Sequence, residues 1–380
     1  MKRKAVCMIL ALTALLTALS GCGPQSVELS ERLIVEAIGI DKTDAGVLVT
    51  LQALDTHAAG AGSDPNEQGQ VTKLYRFSGE SVGQALSGAR AATGLTPLYS
   101  QARVLLFGRP LAEAGLAEAL DFFLRVCNAR SDILIAMAES AAEDPVAADF
   151  GATVPGAVIM EDVLNGSLRD GMGAAVKLYD FMNLTYTGTD TAFCPVIGIR
   201  DQALEDAQKP VLQGTAFFEN GRLSFTAGED LTRGMLFLKD RVETGAIRTA
   251  GENGTYTMRI ISSETKISPT LYENGRADAR IRVKTVCDVT EFTPKDDARR
   301  LEEAEAADAA AAGKAWLEAL LNDTLSVLFY EKHADICRLA RLVNLKYPRL
   351  AAAYAARMFE ATDITAEVEF TVRRTGKEGI

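Results

Sequence analysis

The sequence predicts an α/β (α+β) fold in two halves: a mixed sheet layered with helices in the N-terminal half, and an antiparallel meander sheet packed on a long helix in the C-terminal half. Three observations carry that expectation. Up to residue 200, short alternating or continuously apolar runs trade places with segments of helical period, as a sheet layered with helices requires. Beyond it, Asn220-Gly221 and Asn274-Gly275 each join two alternating runs, and Asn-Gly supplies the paired positive-φ positions of a type I′ hairpin turn. Nearer the C-terminus, Leu317, Leu320, Leu321, Leu325 and Leu328 form an apolar stripe at helical spacing.

Taken in order, Leu33 to Ile40 and Val47 to Leu54 read as two strands around the polar turn Lys42-Thr43-Asp44-Ala45-Gly46. Residues 56–70 read as loop and Val71 to Phe77 as strand. A helix is expected over Ser81 to Ala92 with Ser78 as its cap, followed by Thr96-Pro97. Ala102 to Phe107 and Ile133 to Ala138 are short buried strands. Between them Leu111 to Val126 is a helix with Leu116, Leu120, Phe123 and Leu124 on one face. Residues 144–186 read as mainly helical, with Val158 to Leu168 and Ala174 to Leu184 separated by Gly171-Met172-Gly173, and Phe193 to Ile199 is strand. Asp201 to Pro210 is charged and poor in large apolar residues, as suits a linker.

The expected organisation is therefore an N-terminal α/β domain at 31–200, with a subdivision near 140–190 left open, a linker at 201–210 and a C-terminal domain at 211–376. The second domain opens with the hairpin Gly214 to Phe225. A short helix over Leu231 to Leu238 and the alternating runs Thr255 to Ser268 and Ala277 to Phe292 come next. Thr293-Pro294-Lys295-Asp296-Asp297 starts the long helix, with acids at the positive end of its dipole. Glu302, Glu303, Glu305 and Asp308 form its solvated face, with an interaction surface as the alternative, and Trp316 adjoins the leucine stripe. Helix flanks Tyr347-Pro348, and Ile364 to Val372 is a closing strand.

Residues 1–21 read as a secretory signal: Met1-Lys2-Arg3-Lys4 is basic, and Ala5 to Ala18 is apolar but too short to span as an ordinary transmembrane helix. Leu19-Ser20-Gly21-Cys22 resembles a bacterial lipobox, which makes Cys22 the acceptor of a diacylglycerol and an N-acyl lipid and residues 22–30 a lipidated tether. A plain signal peptide with a cysteine near its cleavage site is the alternative. On the lipoprotein reading the folded body sits outside the cytoplasmic membrane. Losing residues 1–21, which hold three basic residues and no acid, takes the formal charge from −11 to −14. That acidity argues against nucleic acid as a partner and for docking on protein rather than on anionic headgroups.

With 48% hydrophobic and 24% charged residues the remainder is globular, neither disordered nor polytopic. Cys127, Cys194, Cys287 and Cys337 have no ligand-like spacing. Three of them lie in apolar runs and read as buried hydrophobes, with their disulfide state open. His57 and His333 are the only histidines and read as surface residues. No nucleophile motif, metal-ligand spacing or phosphate loop is present, since Gly171-Met172-Gly173 lacks the third glycine and a preceding strand. The expected catalytic and metal sets are therefore empty, and the only cofactor is the lipid on Cys22. Arg125 and Arg130 are candidate contacts for an anionic ligand or a partner, although Asp121 can pair with Arg125 at i,i+4.

Five stretches together resemble the Ger(x)C family, the lipoprotein C subunits of spore germinant receptors. They are the lipobox at Cys22, Arg32 to Asp41, the Arg103 to Arg130 run with its paired arginines, Gly214 to Phe218, and the carboxy-terminal helix and strand. The pattern departs from the family at Asp335-Ile336-Cys337-Arg338-Leu339 and in the alanine-rich 304–312. The resemblance implies an α/β fold and a place at the outer face of the spore's inner membrane. It also implies a non-catalytic role in nutrient sensing, in a complex with polytopic A and B subunits. The competing readings are an extracytoplasmic solute-binding lipoprotein that captures a nutrient directly, with a deep interdomain cleft, and a cell-envelope hydrolase using paired carboxylates.

Overall fold

The computed structural model describes residues 31–54, 72–125, 127, 129–151, 154–187, 191–202, 207–295 and 303–375. The signal, Cys22, the tether and His57 lie outside them. The N-terminal half builds β1 (Arg32–Thr43), β2 (Gly46–Leu54), β3 (Thr72–Gly79), α1 (Val82–Ser87), α2 (Ala89–Thr93) and β4 (Thr96–Leu98). It continues through β5 (Val104–Phe107), α3 (Arg109–Ala114), α4 (Ala117–Arg125), β6 (Leu134–Ala138), α5 (Glu143–Ala147) and α6 (Gly156–Arg169). Then come β7 (Val176–Lys177), α7 (Leu178–Thr187), β8 (Ala192–Asp201), β9 (Gln208–Glu219) and β10 (Arg222–Ala227).

These strands form one ten-stranded sheet in the order β10-β9-β8-β6-β5-β1-β2-β3, with β4 beside β1 and β7 beside β6. At its centre β1, β5, β6 and β8 run parallel, and antiparallel hairpins flank them on both sides. The central strands are apolar without alternation because both sheet faces are covered. Leu86, Leu120, Phe123 and Phe181 from α1, α4 and α7 cover one face, and Val146, Met160 and Leu164 from α5 and α6 the other.

Several local expectations change. The helix predicted over 111–126 is two helices, broken where Gly115 takes φ +122° and Leu116 N–H turns to Gly221 O. Its buried stripe is Leu116, Leu120 and Phe123, and Leu124 is 50% exposed. Ser81, not Ser78, caps α1 through Gln84 N–H. Ala174 to Lys177 is not helical, because Val176-Lys177 pairs with β6.

The stretch expected to be a linker, 201–210, does not separate one sheet from the next: Asp201 pairs with Gln208 and the strands on either side pair as β8 and β9, with one bulge between Pro195 and Ile197. The hairpin at 214–225 thus belongs to the first sheet. Its Asn220 and Gly221 do hold φ +51° and +74°, as a type I′ turn needs. The charge-rich composition has a simple cause, namely that Arg200, Asp201 and Lys209 project from a strand end into solvent.

The remaining chain forms α8 (Glu229–Leu238), β11 (Ala246–Ala250), β12 (Gly254–Leu271), β13 (Ala277–Pro294) and α9 (Glu303–Thr324). A π-helical segment, Leu325–Glu331, follows, then α10 (Leu339–Lys346), α11 (Ala351–Ala355), α12 (Met358–Ala361) and β14 (Thr362–Thr375). The second sheet has the order β11-β12-β13-β14. It is not a pure antiparallel meander, because β14 runs parallel to β13. The helices between them carry the chain back to the same end, and that crossover is what parallel pairing requires. In the β12–β13 connection only Gly275 has positive φ, so this is a longer turn with glycine at its left-handed position rather than type I′.

The long helix packs on this sheet through Ala309, Gly313, Leu317 and Leu321, a row at i,i+4, with Gly313 against the Phe370 ring. Thr293 and Pro294 are the end of β13 rather than the helix start. Asp296, Asp297 and Glu302 lie outside the described residues, as does the Glu303 side chain. Glu305 and Asp308 are not a solvated face. Glu305 is 8% exposed, and Asp308 accepts from Glu252 N–H (2.9 Å), Asn253 N–H (2.8 Å) and Tyr256 Oη (2.8 Å), pinning the β11–β12 turn to α9. Phe193 and Phe217 of the first sheet share one core with Met235, Met258, Ile281, Leu317 and Leu328, so the two sheets are joined by packing. No helix among the described residues is long and apolar enough to cross a membrane.

Asp308 supplies a pH-dependent prediction. Burial pushes its carboxyl up, but the two backbone N–H groups, the Tyr256 hydroxyl and Lys295 together hold it below the ordinary value of 3.8. A carboxylate depressed on folding contributes stability above its unfolded pKa and loses it as pH falls through the folded one. Asp308→Asn should therefore cost about 1–2 kcal/mol at neutral pH. In urea titrations across pH, that gap to wild type should close under acid. A gap unchanged down to pH 2 would show that the charge is not what matters.

Candidate functional site

Two places concentrate polar chemistry. The first is a crevice of about 540 Å³ between the β9–β10 hairpin with α7 on one side and the end of the π segment with α10 to α12 on the other. The π segment closes where Lys332 N–H bonds Val327 O (2.9 Å) and Ala334 N–H bonds Leu328 O (2.8 Å), which throws His333 to φ +53°. Left-handed helix ends usually fall to glycine, and a side chain there costs about 1 kcal/mol or more. Here the imidazole stacks on Phe359 with ring centres 5.0 Å apart and planes at 15°. The neighbouring Lys332 ammonium stands over the Phe225 ring at 5.7 Å.

Asp335 is 4% exposed, and its carboxylate accepts from Leu339 N–H (2.8 Å) and Ala340 N–H (2.9 Å), capping α10. Its own N–H donates to Thr191 Oγ1 (2.8 Å), tying the C-terminal helices to the start of β8. Thr185 spends its hydroxyl on Phe181 O (2.9 Å). Thr185, Thr191 and Asp335 are thus engaged by the fold rather than presented to a ligand. Phe218, Phe225, His333 and Phe359 share the crevice walls with Glu219, Asn220, Ser224 and Lys332, and the Asp335–Thr191 bond ties its two sides together.

The second place is the C-terminal edge of the parallel strands, where open α/β sheets carry their ligand sites. Asp41 at the end of β1 accepts from Ala142 N–H (2.6 Å) and Glu143 N–H (2.9 Å), anchoring α5. Burial raises its carboxyl above the ordinary range against the pull of those two N–H groups. The chain can pass over it only because position 108 is glycine, since a Cβ there would overlap Asp41 Oδ1. Glu139, after β6, accepts from Arg200 Nη1 (2.9 Å) and Gln213 Nε2 (2.6 Å), and the Arg200 bond, the largest cause, holds its carboxyl low. Glu139, Glu143, Asp144, Asp201 and Arg200 line a cleft of about 590 Å³. Its excess of carboxylates favours cationic over anionic groups.

Arg125 and Arg130 are both exposed and each is paired locally, Arg125 Nε with Asp121 Oδ1 at 2.6 Å and Arg130 with both Asp132 oxygens at 2.8 and 2.6 Å. Neither belongs to the crevice or to the strand-edge cleft. Cys127, Cys194, Cys287 and Cys337 are buried thiols. Burial pushes the Cys127 and Cys287 thiols up to about 12 and raises Cys194 as well, so these three are poor nucleophiles. Asp41, Gly108 and Glu139 are not legible as site residues in the sequence because their partners lie far along the chain. Their position just past apolar strands is the available signal.

A family model described as the spore germination protein N-terminal domain matches residues 25–199, and one described as spore germination B3/GerAC like, C-terminal, matches residues 213–376. No curated protein matches the chain. Among solved structures, the crystal structure of the GerBC protein is similar in fold, with a TM-score of 0.57 at 17% identity, covering 88% of this chain and 96% of that one. With the two models matched in series from residue 25 to residue 376, the chain belongs to the Ger(x)C family of spore germination proteins.

Proposed function

We propose that this protein is the lipid-anchored C subunit of a spore nutrient germinant receptor. In this reading acyl groups on Cys22 hold it at the outer face of the spore's inner membrane, and it supports germination by assembling with polytopic A and B subunits rather than by catalysis. The observation that carries it is the serial match to both germination domains, which begins three residues after the lipobox cysteine. The acidic body favours protein over headgroups as its docking surface. Arg125 and Arg130, exposed beside α4, are the guanidinium groups that an acidic partner segment could take over from Asp121 and Asp132.

Purification of the tagged protein from detergent-solubilised dormant-spore membranes should bring down two polytopic proteins in stable association. Recovery of the chain alone from the same membranes would retire the receptor-subunit reading.

A further inference from the structure

The last strand of the second sheet is an edge built for a partner. Among the described residues β14 pairs with β13 alone, keeps one register from Thr362 to Val372 before a bulge at Arg373, and contains neither glycine nor proline. Long edges of this kind template further pairing. One pair of hydrogen bonds shows which backbone groups are outward. Ile364 N–H donates to Tyr330 Oη (3.1 Å), and Tyr330 Oη donates to Thr362 O (3.3 Å). Even-numbered residues of β14 therefore turn their N–H and C=O away from β13. Tyr330 satisfies the first of these groups, and those of Ala366, Val368, Phe370 and Val372 face the open edge.

The side chains along that edge are self-complementary. Ala366, Val368, Phe370 and Val372 are on the inner face, under α9, and Glu367, Glu369, Thr371 and Arg373 on the outer. If two copies meet antiparallel about a two-fold axis through Phe370, Glu367 falls opposite Arg373 twice, Val368 opposite Val372 twice, and Glu369 opposite Thr371. Moving the axis to Val368 would set Glu367 against Glu369 on both sides, a repulsion that disfavours that register, and the Phe370 axis is the one that pairs Glu367 with Arg373. The flank of α9 on this side also leaves room. Trp316 turns toward Phe237 of α8, with ring centres 6.2 Å apart, so the opposite flank carries Ala307 and Ala310.

We propose that β14 pairs with β14 of a second copy of this chain, joining the two four-stranded sheets into one continuous eight-stranded sheet with the two-fold axis at Phe370. An isologous contact of this kind closes on itself and does not propagate. Phe370 would exchange both backbone hydrogen bonds with its counterpart. The Glu369 and Thr371 positions would then form a non-hydrogen-bonded pair with Cα atoms about 4.5 Å apart, within disulfide reach.

The test is oxidative cross-linking of the full-length protein in its own membranes. Glu369 is 60% exposed and both substituted positions are on the outer face, so Glu369→Cys/Thr371→Cys should fold normally. The double variant should run mostly as a covalent dimer, while wild type and either single variant stay monomeric. The detergent-purified wild-type protein should sediment as a concentration-dependent dimer. A double variant that stays monomeric, one that cross-links to a different protein, or a single variant that dimerises as well as the double one would each overturn the pairing.

Discussion

A Cys22→Ala chain should leave the spore membranes as a soluble, folded protein, and spores carrying it should respond to nutrient like spores that lack the protein. The expectation rests on the receptor-subunit reading and on simple energetics. Each buried acyl CH₂ contributes about 0.8 kcal/mol, so two chains anchor firmly and no chain does not anchor at all. Removing the thiol that would accept them should leave the folded body intact, because the packed core of the described residues begins with Leu33 of β1. What is lost is local concentration. The nine residues from Cys22 to Ser30 reach at most about 30 Å. A tether that short holds the protein at a high effective concentration against membrane partners, and its loss can remove several orders of magnitude of apparent affinity. Membrane fractionation, thermal unfolding of the released protein and a germination assay on the same strain separate the effects. Normal germination by a demonstrably soluble chain would sink the tether argument.

How much of the molecule could be read from the chain depends on how local the determining physics is. Asn220-Gly221 states its turn type within two residues, and β14 states its alternation within nine. Which sheet the 214–225 hairpin joins is set by pairing with β8, and which way β14 runs is set by the crossover that precedes it. Neither leaves a periodic trace, because a strand pattern is the same in both directions. Asp308 looked like one more member of a charged helix face for the same reason: its partners at 252, 253 and 256 are brought to it by the second sheet. The crevice was harder still. Nothing local marks His333 as left-handed, since that conformation comes from the π segment's register and is stabilised by Phe359, 26 residues on. Arg125 and Arg130, by contrast, pair with acids four and two residues away, and the i,i+4 partner of Arg125 was legible.

The sharpest stability prediction concerns Gly234, in the middle of α8. A glycine inside a helix costs about 1 kcal/mol relative to alanine, so its presence calls for a packing reason. The reason is Thr324, the last residue of α9: a Cβ at position 234 would overlap Thr324 Oγ1 and come within 2.8 Å of its Cβ. Thr324 has little freedom to yield, because it is buried and its hydroxyl is bonded to Leu320 O at 2.7 Å. Gly234→Val should therefore wedge α8 from α9 at the centre of the core that joins the two sheets, at a cost of about 3 kcal/mol or more. Because the π segment begins at the next residue, the strain falls on the element whose far end shapes the crevice. Thr324→Ala in the same chain should recover about 1 kcal/mol or more, since contacting sites couple. Urea titration of the four members of the cycle decides it. Additive losses would mean that the helix contact at Gly234 is not what holds α8 to α9.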